Sequence, residues 1–334
     1  MSGPHDLFAR YTFGHPERAA AELRAVLPPE LVAQVDWSSL HREPGSVVDL
    51  ELRERQSDLL FSARLHGGRP VLFYFLLEHQ SSVDRWMALR MLRYVVRQLD
   101  HWRHLHPDNE WLPTIIPMVL YHGQEGRWTA ARRLEELFFL PDEHRERWRK
   151  VVPRFEYLVD DLTAEREEAL RARPGPPLVR MTWLLLRSSR SRELAVLLEG
   201  WKPLLEEVLA SPEGLEQLRS IVHYLLRVGP KDARPALRRV LDSMTGEQQA
   251  EELMKTMAED LIEQGERKGR RKGRAEGIAE GRAQSVLQIL SARHITVDEQ
   301  TRERILSCKD LKTLDRWLHQ ALDAKSLADL TLGG

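Results

Sequence analysis

The sequence predicts a compact α/β domain to about residue 160, followed by a C-terminal half that is almost entirely helical. Three observations carry this reading. Two short apolar runs, Ser57–Leu65 and Val71–Gln80, flank Gly67-Gly68 in hairpin spacing. A third apolar run, Thr114–Tyr121, follows a long amphipathic stretch. Beyond residue 161 the apolar positions keep three- and four-residue steps with few strand-like runs.

In order, residues 5–35 read as helical. Leu7, Phe8, Tyr11, Ala19, Leu23, Val26 and Leu27 recur at helical steps, broken at Gly14 and Pro16 and ended by Pro28-Pro29. Val71–Gln80 is almost continuously apolar, which predicts a central strand covered on both faces. Ser81–His106 reads as a long helix with Ser81 and Asp84 as a capping pair. Its predicted buried stripe is Trp86, Leu89, Leu92, Val96, Leu99 and Trp102. Thr114–Tyr121 is the next strand, and Pro117 inside it favours an edge or a bulge. Phe155–Val159 is a further short strand candidate.

The domains expected are 1–160 (α/β), 161–262 (helical) and 263–334 (a basic helix and a terminal hairpin, Asp298–Leu330). Arg173–Pro177 is a break, and Met181–Leu186, Leu194–Leu209 and Leu215–Leu226 carry helical spacings. Gln248 to about His294 reads as one long helix. Within it Gly265, Gly269, Gly273, Gly277 and Gly281 recur every four residues.

Composition excludes several classes. Lys+Arg 50 against Asp+Glu 51 leaves a net charge of −1, so a nucleic-acid surface must come from local clustering. The single cysteine, Cys308, allows no internal disulfide and no multi-Cys zinc site, which points to a reducing, intracellular setting. The start MSGPHDLFAR lacks the pattern of a secretory signal. The longest purely apolar run, Val71–Leu77, is far short of the roughly 20 residues that span a bilayer.

Glu78 and Gln80 lie two apart on one predicted strand and so share a face. Asp58 lies near the start of the neighbouring strand. A hairpin around Gly67-Gly68 brings Asp58 and Glu78 to one end of the sheet. Two carboxylates there suit a hard divalent cation such as Mg²⁺, which can polarise a phosphodiester and acidify a bound water. The competing reading pairs them with Arg53, Arg55 or Arg85 and makes Gln80 a helix cap.

The segments HDLF, LPPEL, VDWSSL, ELRERQSDLLF, FLLEHQSSVDRWMALRMLRYV and IIPMVLYHG occur in this order across residues 5–125. Together they resemble the recombination-promoting nuclease (Rpn) family, also described as transposase-like, of the PD-(D/E)xK nuclease superfamily. The glycine-spaced basic segment is similar to that family's tail. The resemblance implies a restriction-endonuclease-like core, a mixed central sheet flanked by helices. It implies Mg²⁺ as cofactor, with Mn²⁺ or Ca²⁺ as substitutes, and DNA as partner. It places Asp58 and Glu78 as metal ligands. Gln80 stands where the superfamily usually has lysine, which affects the water-orienting step rather than the metal. A first-helix acid often joins such sites; Asp6 is the first candidate and Glu22 the next.

Other features carry two readings each. His101, His104 and His106 fit a solvated helix end better than a zinc site. His122, in Tyr121-His122-Gly123, is either a strand exit or a phosphate contact. Arg267, Lys268, Arg270, Arg271, Lys272 and Arg274 form a cluster suited to DNA contact, self-association through the C-terminal helices, or simple solvation. Trp37, Trp86, Trp102 and Trp111 are candidate base-stacking platforms, with core packing favoured for Trp86 and Trp102. The function expected is a Mg²⁺-dependent DNA endonuclease linked to recombination or mobile elements. The alternative is a non-catalytic DNA-binding or protein-interaction scaffold on the same fold.

Overall fold

The computed structural model of the protein describes residues 3–43, 58–78, 83–123, 126–254, 279, 281–308, 310–324, 326, 327 and 330; at 58 and 75–78 only the backbone is described. The chain divides into two compact units, Met1–Met254 and Lys255–Gly334.

The first unit is built on a five-stranded sheet in the order β1-β2-β3-β4-β5. Its strands are β1 (Val35–Arg42), β2 (Asp58–Leu65), β3 (Pro70–Glu78), β4 (Thr114–Tyr121) and β5 (Leu158–Asp161). β2 runs antiparallel to β1 and β3, whereas β3, β4 and β5 are mutually parallel. The sheet is therefore mixed, with β3 paired on both edges as its apolar run predicts. Gly68, at φ +78°, makes the tight turn between β2 and β3 that a side chain would strain.

Helices cover both faces. Before the sheet come α1 (Pro4–Phe13) and α2 (Pro16–Val26), each with proline in its first turn, where the missing N–H costs nothing. α3 (Met87–Leu105) crosses from β3 to β4 and packs Met87, Ala88, Met91 and Tyr94 on Leu60, Leu72, Tyr74 and Val119. The opposite face meets α2, where Trp37 of β1 stacks on Phe73 at 5.9 Å under the Arg24 guanidinium. The chain continues through α4 (Glu167–Ala172), α5 (Pro177–Ser188), α6 (Leu194–Gly200), α7 (Lys202–Ala210), α8 (Gly214–Val228) and α9 (Arg234–Thr245). α5 and α8 pack against α1, so the helical part of this unit closes over the α2 face.

Four sequence expectations need correction. No strand is expected between residue 35 and Ser57, yet Val35–Arg42 forms the edge strand β1, with only Val35 and Leu40 buried, so it lacks the apolar alternation that marks a strand. α3 starts at Met87, not Ser81. The Asp84 carboxylate accepts the Trp86 N–H at 2.9 Å, a local turn that competes with helix; Ser81 lies outside the described residues. α3 also buries a different stripe, Met87, Ala88, Met91, Tyr94, Val95 and Gln98, and leaves Trp86, Leu89 and Val96 about half exposed. The last strand is Leu158–Asp161, three residues later than expected at its start.

Pro117 has a clear reason. β4 pairs with β5 only from Met118 onward, so the proline sits where that edge of β4 is still unpaired. Leu194–Leu209 divides at Trp201, because Pro203 starts a new helix there.

In the second unit, Ala279, Ala283, Val286 and Leu290 pack on Ile305, Leu314, Trp317 and Ala321. The expected terminal hairpin is present as α10 (Glu299–Ser307) and α11 (Leu311–Asp323). Asp298 and Asp310 cap them by accepting the Thr301 and Thr313 N–H groups. Most of the glycine repeat lies outside the described residues. Among the described residues no helix is long and apolar enough to cross a membrane.

Candidate active site at the strand ends

The β2–β3 register pairs Asp58 with Leu76, and Glu78 lies two positions further along β3. Paired positions and positions two apart share a face, so 58, 76 and 78 occupy one face at one end of the sheet. It is the face that α3 covers, since Leu60 and Tyr74 have the same parity. Gln80 lies outside the described residues, as do Arg53, Arg55 and all six cations of the Arg267–Arg274 cluster. Arg85, the remaining competitor for the carboxylates, holds its guanidinium 4.6 Å over the Trp86 ring.

Glu78 pairs in register with Tyr121, and Tyr121 with Asp161. Tyr121 is fully buried, edge-on to Trp128 at 5.0 Å. Asp161 accepts the Trp128 N–H at 2.7 Å and the Thr163 N–H at 3.0 Å, which ties together the loops that leave β4 and β5. It therefore serves as a scaffold for the rim of the site.

Asp6 lies in the first turn of α1, where Oδ2 accepts the Gly3 N–H at 3.2 Å. Beside it, His5 is buried, with Nδ1 2.8 Å from Tyr224 Oη of α8 and its ring 5.0 Å from that of His122. The Tyr224 hydroxyl also lies 3.0 Å from Ser189 Oγ. These contacts bring the first turn of α1 to the end of β4, the end of the sheet that also carries Glu78. His122 itself is only 8% exposed.

Glu22 lies elsewhere, fully buried on the α2 side. It accepts a hydrogen bond from Trp183 Nε1. Nearby Asp160 takes a two-pronged ion pair from Arg173, at 2.6 and 2.9 Å. Burial, and then the Asp160 charge, hold the Glu22 carboxyl well above its ordinary range. Asp160 pairs with Leu120, opposite in parity to Tyr121, so this cluster and the Asp58–Glu78 positions lie on different faces.

The His101–His106 segment ends α3, with the His106 ring stacked on Trp102 at 3.9 Å. Among the described residues no group of three His, Cys, Asp or Glu side chains converges as a metal cluster. Of the tryptophans, Trp86 is 47% exposed, contrary to its expected core role, and Trp111 is 81% exposed.

One group the sequence reading missed is Arg90, in the first turn of α3. Its Nε–H donates to Tyr94 Oη at 3.1 Å, and Nη1 lies 3.7 Å from Asp84 Oδ2. The available signal was Arg followed four residues later by Tyr, just after the Glu78 strand.

Residues 3–216 match the sequence model of the family described as "Putative transposase, YhgA-like". The chain belongs to this family. Recombination-promoting nuclease RpnC of Escherichia coli K12 is 30% identical over 263 residues, covering 78% of this chain and 82% of the relative. RpnA of the same organism is 28% identical over 228 residues, covering 68% and 73%. Another member from that strain, named an inactive recombination-promoting nuclease-like protein, RpnE, is 26% identical over 264 residues, covering 79% and 83%. No solved structure matches. Within this YhgA-like family the matched region includes the whole sheet and the helices through α7.

Proposed function

We propose that this YhgA-like protein is a metal-dependent DNA endonuclease with a PD-(D/E)xK core, acting in recombination or mobile-element DNA processing. The reading rests on one observation above all. Backbone register brings Asp58 and Glu78 to one face and one end of a mixed sheet. The names of RpnC and RpnA, recombination-promoting nucleases, support the nuclease part of this reading.

The donor chemistry suits a hard cation: two carboxylates at a strand end offer oxygen ligands, which Mg²⁺ prefers and Mn²⁺ or Ca²⁺ accept. Asp58 and Glu78 would hold the ion, with Asp6 as the candidate from the first helix. Bound there, it would supply Lewis-acid polarisation of the scissile phosphate. Gln80, two residues beyond Glu78, would orient the attacking water through its amide and contributes no charge. The Arg267–Arg274 cluster would add phosphate contacts, and the C-terminal helices a surface for self-association. Such a protein would work in the cytoplasm, where DNA is accessible.

A second reading, a DNA-binding scaffold without cleavage, draws on the inactive name of RpnE. Two measurements separate them. The nuclease should nick supercoiled plasmid in Mg²⁺ or Mn²⁺ and stop in EDTA. It should also melt at higher temperature when either metal is added. A scaffold would bind DNA with a steep salt dependence and remain indifferent to metal.

A further inference from the structure

We propose that Arg90 is a catalytic residue of this site, supplying at the scissile phosphate the positive charge that Gln80 cannot. The inference rests on the nuclease reading above and adds a residue to it. In phosphodiester hydrolysis, a water oxygen forms the new bond to phosphorus while one bridging P–O bond breaks. One proton of that water passes to solvent, and the departing oxygen takes one up. Negative charge grows on the non-bridging oxygens as the bonds exchange, and a fixed cation there favours the transition state over the bound substrate.

Three features place Arg90 for this role. β3 and β4 are parallel, so α3, which joins them, begins at the end of β3 that carries Glu78. Arg90 lies in the first turn of that helix. Tyr94, its anchor, lies with its ring 5.6 Å from that of Tyr74, four positions before Glu78 and of the same parity. Arg90 therefore stands over the sheet face assigned to both carboxylates.

Its side chain is also held. It is only 11% exposed, with the guanidinium 5.7 Å from the Tyr94 ring centre, Nε–H donated to the Tyr94 hydroxyl and Asp84 beside Nη1. Anchoring at Nε fixes the plane of the fork, and a planar fork matches two phosphate oxygens as a lysine ammonium does not. The neighbouring cations are placed differently along the chain. Arg85, before α3, is stacked on Trp86; Arg93, whose guanidinium also lies over the Tyr94 ring at 5.8 Å, and Arg97 lie one and two turns further from the strand end.

The test uses the full-length protein and single-turnover nicking of supercoiled plasmid in Mg²⁺, with DNA affinity measured separately in EDTA. Arg90→Gln should slow cleavage by about 100-fold or more, with DNA affinity and melting temperature close to wild type. Added guanidinium should restore part of the rate, and urea at the same concentration should not. Arg90→Lys should fall between the two. Arg90→Gln cleaving at the wild-type rate, or slowed without guanidinium rescue, would overturn the assignment. Should Arg90→Gln fail to fold, Tyr94→Phe decides, since it keeps the ring and the charge and removes only the anchor. It should lower kcat without raising KM, and an unchanged kcat would reject the role. A folded wild type that cleaves in no divalent metal would instead strike the nuclease reading itself, and leave Arg90 no reaction to serve.

Discussion

Gly123 lies so close to the ring of Tyr121 that a Cβ on it would fall 2.1 Å from the phenolic oxygen. The chain leaving β4 folds back over its own last residue, and only glycine permits that approach. Tyr121 is in turn fixed by Trp128, and it pairs in register with Glu78. The tight exit therefore shapes the floor of the candidate site.

Gly123→Ala should accordingly destabilise the first unit by about 1–3 kcal/mol, the usual cost of overpacking. Urea unfolding measures this. An alanine variant as stable as wild type would show that the backbone can shift away from Tyr121 without cost.

The orientation of α3 gives a paired prediction. Met91 is fully buried against the sheet, whereas Leu89 is half exposed. Met91→Ala should cost about 2–5 kcal/mol, and Leu89→Ala should stay within about 0.5 kcal/mol. The reverse order would restore the stripe expected from the sequence.

Arg173 and Asp160 form the best-defined buried ion pair of the sheet's α2 face, with side chains 15% and 5% exposed. Removing the cation strands a buried carboxylate beside Glu22. Arg173→Ala should therefore cost about 3–5 kcal/mol, read by chemical denaturation. A loss below 1 kcal/mol would mean that water replaces the guanidinium beside Asp160.

Glu22 makes stability depend on pH. Its folded carboxyl holds a proton well above the ordinary 4.5, chiefly through burial and then through Asp160. Below that ordinary value folded and unfolded chains are both protonated, and this contribution is fully present. As pH rises, the unfolded chain ionises first, and the contribution is lost through the folded pKa. Glu22→Gln keeps an acceptor for Trp183 and brings an N–H toward Asp160. It should flatten the decline in melting temperature on the alkaline side and exceed wild type there. A pH profile identical to wild type would remove Glu22 from the account.

How much of this was legible in the sequence differs from element to element, for physical reasons. The β2–β3 hairpin was readable because two apolar runs meet at Gly67-Gly68. With it came the placement of Asp58 and Glu78 at one strand end. β1 was hidden because an exposed edge strand needs few apolar residues, and Val35–Arg42 has Asp36, Ser38 and Ser39 among them. The buried face of α3 was ambiguous because the helix carries two stripes of helical period. The sheet selects the one whose Met and Tyr side chains fit Tyr74 and Leu72. The Glu22–Asp160–Arg173–Trp183 cluster joins residues far apart in the chain, and no local pattern announces it. Arg90 reads as one solvated arginine among several until Tyr94 and Asp84 are seen around it.

Whether Asp58 and Glu78 form one metal-binding catalytic pair, as proposed, is decided by parallel plasmid nicking with wild type, Asp58→Asn and Glu78→Gln in Mg²⁺ and in EDTA. Wild type should nick in a metal-dependent way, and each variant should lose at least about 100-fold, with folding intact and the metal-induced rise in melting temperature abolished. Nicking that persists in both folded variants would contradict that pairing.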